Sequence, residues 1–584
     1  MAQSDARFGY YAKLNREDHD LSQPFGFTTP PGSLCPIFTD IATPGDTYYI
    51  NHDLTFLRTM PLAAPAMVDV EVHFESFFVP FQMIYQPFED TMYQMKSLQS
   101  KLYNLEQLLN QYFPLLHYEN TIAAITAGND QDLIRLHQEA FRLADFFGLQ
   151  ADNFCIMHDA SHTFEDAYQP NFFPWKLLAY QCIFQYYYRL DDKSSFDNIF
   201  NFDDQYNQAA AVVRKELFKM HQRPWDFDYY TSIYRSPIVS DASMQVLPTA
   251  NLTPLTDAFA NGIDSYGAVG NSNVDIHTFS SNASNSYVAN VDRRGHSTAA
   301  IRQMFAAEKF AMITGRARKT YDSQVLAHFG VSVPHDPKHD IALIGQDHYP
   351  VHIGEVTSLA STEDAPLGDL AGKGWAQGES QRRHKFTAPC HGVVMTIFSI
   401  EPKRRYYGGF DRDNTISRSI DIPTPENDRL GNIPMFRYES GDFLLTGQNK
   451  GDIIGWKERF YPWKRKQSKT TLAFSKGNRF TGVNNFESYM IATFPYGIDT
   501  YFTRNSRPDL ESRFYIEKNC MDSLMLVKFY DLWKYDDEDL PEDSENWDKS
   551  PHLVYARDPF IVDSYVKVKK VSWMSKDGEP IYPY

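Results

Sequence analysis

The densest grouping of residues able to do chemistry lies between positions 457 and 469. Lys457, Arg459, Lys464, Arg465, Lys466 and Lys469 are interleaved with Trp456, Phe460, Tyr461 and Trp463. Cationic side chains neutralise phosphates, and flat aromatic faces stack on unpaired bases. Lys457, Arg459, Trp463, Lys464, Arg465, Lys466 and Lys469 are therefore the candidate DNA-binding residues. A solvated strand edge decorated with lysine has the same composition. Lys403-Arg404-Arg405 beside Tyr406 and Tyr407 is a second, shorter grouping of this kind.

The grouping nearest to a metal motif is His335-Asp336-Pro337-Lys338-His339-Asp340. Two histidines four apart share a face only on a helix, and Pro334 and Pro337 oppose one there. A polar surface loop is expected, and no metal site is assigned. Gly408-Gly409 and Gly372-Lys373-Gly374 lack phosphate-loop spacing and are read as turns. GxSxG and HExxH do not occur, so no catalytic residue is assigned and no cofactor is expected. Cys35, Cys155, Cys182, Cys390 and Cys520 are far apart, odd in number and without a CxxC pair. This argues against a disulfide framework or zinc knuckle and for folding in a reducing cytoplasm.

The elements that must hold these residues are mostly strands. Of 584 residues, 43 are Phe, 36 Tyr and 8 Trp. Aromatic residues favour strands, and Tyr and Trp favour interfaces. Runs near 33–41, 47–59 and 66–79 read as strands. In the third, Val68, Val70, Val72 and Phe74 alternate with Asp69, Glu71, His73 and Glu75, giving one buried and one polar face. Pro44-Gly45-Asp46 marks a turn. Further strands are expected at 350–359, 392–400, 443–446, 470–474 and 561–571, the last with Val566 and Val568 alternating with Lys567 and Lys569. Helices are expected over 131–147, closed by Gly148, over 174–190 and over 299–314.

The organisation that follows has an extended N-terminal arm, 1–32, and a single domain over 33–584. A polar surface insertion rich in Asn, Ser, Ala and Gly lies at 236–296. The fold class is mainly β: an eight-stranded antiparallel jelly-roll β sandwich with long, partly helical loop insertions. The formal net charge of −18 means that any nucleic-acid contact is local or shared with a basic partner. The first residues have no apolar core, so no signal peptide is expected, and no apolar run is long enough for a membrane span. Surface aromatics and abundant carboxylates leave one alternative, a jelly-roll carbohydrate-binding protein or glycan-active enzyme.

An ordered series of segments resembles a known family. Pro44-Gly45-Asp46 is followed by Arg58-Thr59-Met60-Pro61-Leu62-Ala63-Ala64-Pro65-Ala66-Met67 and by Phe77-Phe78-Val79-Pro80. Then come Leu143-Ala144-Asp145-Phe146-Phe147-Gly148, Ala179-Tyr180-Gln181-Cys182-Ile183, Asp228-Tyr229-Tyr230-Thr231-Ser232 and His328-Phe329-Gly330-Val331. Pro366-Leu367-Gly368 and His391-Gly392-Val393-Val394 follow. The series, over roughly 20–510, is similar to the major capsid proteins of the microviruses, small icosahedral single-stranded-DNA bacteriophages, in the gokushovirus-like branch. The resemblance implies a homo-oligomer that builds an icosahedral shell of sixty copies through pentamers. It implies a packaged circular single-stranded DNA, a small basic internal DNA-binding protein, a host cell-surface receptor, assembly in the host bacterial cytoplasm and residence in the virion. It also implies that the insertion forms an exterior protrusion at the three-fold axis, where Asn261, Asn271, Asn273 and Asn282 are candidates for host attachment.

Overall fold

The structure is a computed structural model, which describes residues 16–84, 88, 142–149, 174–189, 217–232, 251–254, 273–277, 287–292, 306–332, 338–357, 370–440, 453–469, 492–493, 515–516 and 558–574, with short gaps inside several of these stretches. Its strands are β1 (Glu17–Asp20), β2 (Gln23–Thr29), β3 (Cys35–Ala42), β4 (Thr47–Thr59), β5 (Val70–Pro80), β6 (Asn251–Pro254), β7 (Asn273–His277), β8 (Tyr287–Asp292) and β9 (Ala342–Thr357). They continue with β10 (Leu370–Gly378), β11 (His384–Thr387), β12 (Gly392–Pro402), β13 (Arg405–Tyr406), β14 (Asn432–Phe436), β15 (Ile453–Glu458), β16 (Ala492–Thr493) and β17 (Phe560–Ser572).

The expected antiparallel β class is found. Ten strands share one ladder in the order β1-β17-β4-β10-β9-β5-β12-β3, with β2 also on β17 and β11 also on β4. β9 turns the corner of this sheet. Its first part, Ala342–Val351, pairs with β5, and His352–Thr357 pairs with β10. The sheet curls until its two wings face each other: His52 of β4 reaches Ser76 of β5, and Phe27 of β2 packs edge-on against Phe398 of β12 at 5.1 Å. Leu54, Leu57, Val562, Val566 and Val568 of one wing and Val72, Phe74, Phe398 and Ile400 of the other are buried in one core. β17 shows the expected period of two, with Val566 and Val568 buried and Lys567 and Lys569 outside. Glu17–Asp20 and Gln23–Thr29, within the stretch read as an arm, line up along β17.

β5 departs from strict alternation. Val70, Val72 and Phe74 face inward as expected, but every residue from Phe74 to Pro80 is buried. A second layer covers the outer face there. The helix Trp175–Ile183, expected from 174–190, ends in a wider turn, Phe184–Tyr188, in which the Arg189 N–H donates to the Phe184 carbonyl at 2.9 Å. Phe77 meets Tyr187 at 4.8 Å, and Phe81 meets Trp175 at 4.3 Å. Glu75, expected on a polar outer face, is thus buried and needs partners. Tyr188 donates a short hydrogen bond to its carboxylate, and Arg223 pairs with it at 3.0 Å. Arg223 also lies 3.4 Å from Glu401, which meets His73 at 3.2 Å and Lys403 at 3.2 Å. Burial raises the pKa of Glu401, yet its hydrogen bond to His73 and the charges of Lys403 and Arg223 outweigh that and hold it near 2.

Other expectations meet the structure in part. Arg142–Phe146 is helical and Gly148 has φ +71°, as a helix stop requires, while 131–141 lies outside the described residues. Arg142 forms a buried two-pronged pair with Asp558 at 2.8 and 2.9 Å. Of the helix expected over 299–314, positions 306, 309–310 and 313–314 are described, and all are helical. The helix Tyr321–Phe329 was not expected. The strands expected at 443–446 and 470–474 lie outside the described residues. Gly372-Lys373-Gly374 is not a turn. It runs inside β10, opposite Glu355, Gly354 and Ile353, where the Gly374 N–H donates to Thr59 Oγ1 at 2.7 Å. Within 236–296, β6, β8 and β7 form a small antiparallel sheet. Among the described residues no helix is long and apolar enough to cross a membrane.

Candidate nucleic-acid interface

The basic–aromatic segment begins on the hairpin β14–β15, where Lys457 stands opposite Ile433. Strand alternation sends Lys457 inward. Its Nζ lies 3.5 Å from the ring centre of Tyr229 and 4.2 Å from that of Tyr461, within a second small core of Tyr229, Tyr230, Tyr406, Met435 and Tyr461. The rings are fixed by their hydroxyls. Tyr230 donates to the Glu439 carbonyl at 3.1 Å, Tyr461 to the Asp228 carbonyl at 3.1 Å, and Tyr406 to the Asp228 carboxylate. Burial drives the Lys457 amine well below the usual lysine range, and Glu439 and Asp228 restore only part of it. Burial likewise raises Glu439, against the pull of Arg412, which donates to it at 3.1 Å.

After Glu458 the chain reverses. Phe460 takes a left-handed conformation, φ 58° and ψ 28°, and a single helical turn, Tyr461–Lys464, follows. Phe460 and Tyr461 stay buried, whereas Trp463 is 43% exposed. Lys464, Arg465, Lys466 and Lys469 are on the outside as well. Each of the three lysines rests against one carboxylate of the neighbouring loop: Lys464 on Asp428 at 2.6 Å, Lys466 on Asp413 at 3.2 Å and Lys469 on Asp411. Arg459 lies over the Phe460 ring at 5.1 Å, and Arg465 over Tyr461 at 6.0 Å. The structure therefore places Trp463, Lys464, Arg465, Lys466 and Lys469 along one exposed bend and sets Lys457 apart in a tyrosine cage. The strand period of two was the one available signal for that division. Exposed ion pairs of this kind contribute at most about 1 kcal/mol.

The remaining candidates are dispersed. Lys403 belongs to the charge network at the end of β12, and Arg405 stands in β13, 4.0 Å from Asp69. Asn273 opens β7 opposite Asp292, while Asn261, Asn271 and Asn282 lie outside the described residues. So do His335–Pro337 and His339 of the metal-like loop, and Gly408 and Gly409.

The curled antiparallel sandwich with its long layered connections is compatible with a structural role, and the comparisons support a capsid protein, a structural rather than an enzymatic class. The model of a family described as "Capsid protein (F protein)" matches residues 11–107, the stretch that contains β1 to β5. Along most of its length the chain is also similar to "Capsid protein VP1" of Chlamydia phage 1. The two are 22% identical over 598 residues, covering 87% of this chain and 94% of the relative. The resemblance to microvirus major capsid proteins read from the ordered motifs is thereby supported, and the virion is where such a protein resides.

Proposed function

We propose that copies of this chain assemble through pentamers into an icosahedral shell of sixty subunits around a circular single-stranded DNA, within the host bacterial cytoplasm. The observation that carries this reading is apolar surface left open by the single chain. Around the helix Tyr321–Phe329, Phe310 is 61% exposed, Leu326 54%, Phe329 77% and Val331 58%. Clustered exposed apolar side chains mark a protein–protein contact. Each contact need only be weak, because closed symmetry repeats it.

In this reading the bend at Trp463, Lys464, Arg465, Lys466 and Lys469 faces the genome. A net charge of −18 calls for a small basic internal protein to share the neutralisation. The insertion at 236–296, with Asn261, Asn271, Asn273 and Asn282, forms the exterior protrusion that meets a host cell-surface receptor. Sedimentation velocity and negative-stain microscopy of the purified chain test the assembly. Pentamers or closed shells are expected, and Leu326→Glu with Phe329→Glu should leave monomers. A wild-type chain that stays monomeric at high concentration across salt and pH overturns the proposal.

A further inference from the structure

β4 changes partner on one side in mid-strand. Leu54 pairs with Gly378 at the end of β10, and Ile50 pairs with His384 at the start of β11. Between those two rungs stands His52, whose side chain is fully buried. Its Nδ1 donates to Asp347 Oδ2 of β9 at 2.8 Å. The same oxygen accepts from His384 Nε2 at 3.0 Å and from Ser380 Oγ at 3.0 Å. Three strands thus aim two imidazole nitrogens and a carboxylate oxygen at one point, all within 4.8 Å of one another.

We propose that His52, Asp347 and His384 form a binding site for a divalent transition-metal ion, zinc being the best match to the donors. Two histidines and one carboxylate are a common zinc ligand set, which leaves a fourth position for water or for Ser380 Oγ. Around a tetrahedral zinc, ligand atoms stand about 3.3 Å apart. The two N–O separations, 2.8 and 3.0 Å, need only a few tenths of an ångström of expansion, and the two imidazole nitrogens lie within 4.8 Å of one another.

Charge favours a cation here. Among the described residues Asp347 lies within ion-pair distance of these two histidines and of no lysine or arginine. Asp53 behind Ser380 adds a second carboxylate, itself held by Lys567 at 2.6 Å.

The surroundings orient the ligands. His52 Nε2 accepts from Ser76 Oγ at 2.6 Å, and Ser76 Oγ accepts in turn from Thr396 Oγ1 at 2.8 Å. On metal binding at His52 Nδ1 that imidazole's proton moves to Nε2 and donates to Ser76, reversing the chain of hydroxyls, and the proton that His384 Nε2 gives to Asp347 moves to the other nitrogen of its ring. Such outer partners hold a metal-bound imidazole in place. Gly345 supplies the room: a Cβ there would sit 2.2 Å from the His384 ring.

The test is zinc titration of the chelator-stripped full chain against a chromophoric competitor, with cobalt as a spectroscopic probe. One equivalent per chain is expected, with a tetrahedral cobalt spectrum and a rise in Tm on zinc addition. His384→Gln and Asp347→Asn should each weaken zinc by about 100-fold, and Ser76→Ala by about tenfold. His328→Gln, on the helix Tyr321–Phe329 and outside the cluster, should leave it unchanged. X-ray absorption of the zinc-loaded wild type is independent of whether any variant folds, and should show two imidazoles in the first shell. A shell of oxygen alone or with thiolate, or binding untouched by both ligand substitutions, overturns the assignment, as does the absence of binding tighter than millimolar.

Discussion

Two regions of this protein are built from the same acid–base pairs to opposite effect. Between mid-β5 and the end of β12, Arg223 joins Glu75 and Glu401, both nearly inaccessible. At the bend after β15, Lys464, Lys466 and Lys469 meet Asp428, Asp413 and Asp411 in the open. Distances in the two regions overlap, so geometry does not separate them. Solvent does. A buried carboxylate stripped of its partner has no water to turn to, whereas an exposed one is rehydrated at once. The first region pins the connection around Arg223 to the sheet, where the Arg223 N–H also donates to the Gly32 carbonyl at 2.6 Å. The second holds its cations loosely enough to exchange partners.

The sharpest way to break this contrast is Arg223→Met, which leaves Glu75 buried without its cation and Glu401 with Lys403 and His73 alone. A loss of about 3–5 kcal/mol is expected in urea denaturation. A loss under about 1 kcal/mol would put this network in the same class as the exposed pairs. Acid titration probes the same place. Glu401 ionises near pH 2 in the folded chain and near its usual 4.5 when unfolded. Its stabilising contribution is therefore complete above pH 4.5 and is lost as pH falls toward 2. Glu401→Gln should flatten the stability profile between pH 5 and 2, and a profile unchanged from wild type would contradict the assignment.

Lys457 tests the contrast from inside one segment. Its amine is buried among tyrosine rings, and burial disfavours its charge. Lys457→Met should stabilise the chain by about 1 kcal/mol in thermal denaturation. Destabilisation as large as that of Arg223→Met would show that the cage needs the cation. The smallest effect on stability is expected at the bend. Lys464, Arg465 and Lys466 changed together to Gln should shift stability by less than about 1 kcal/mol. The same triple variant should bind single-stranded DNA more weakly, with a salt slope reduced by about 2, roughly 0.7 per phosphate released. An unchanged slope would remove this bend from the genome side.

Much of the sheet was legible from local pattern. The run read at 47–59 is β4 residue for residue, and that at 561–571 is β17 to within one residue at each end. Both alternate because one face meets the core and the other meets water. The outer face of β5 was misread because the layer that covers it comes from Trp175–Tyr188, about a hundred residues downstream. Arg223 gave no signal for the same reason, since its carboxylate partners are 148 and 178 positions away. At the candidate interface, composition found the segment but not its sidedness, which turns on a left-handed Phe460.

What the sequence by itself determined is the strand content, the inward and outward faces of exposed strands, the ordered motifs of a capsid protein and the presence of a basic–aromatic stretch. These depend on neighbours within a few positions or on order along the chain. The tertiary structure alone decided which cations are buried and which are free to exchange, and it alone gathered His52, Asp347 and His384 from three strands up to 332 positions apart. Burial and convergence are properties of the closed sheet. A chain read residue by residue carries no measure of either until β9 turns its corner and brings the two wings face to face.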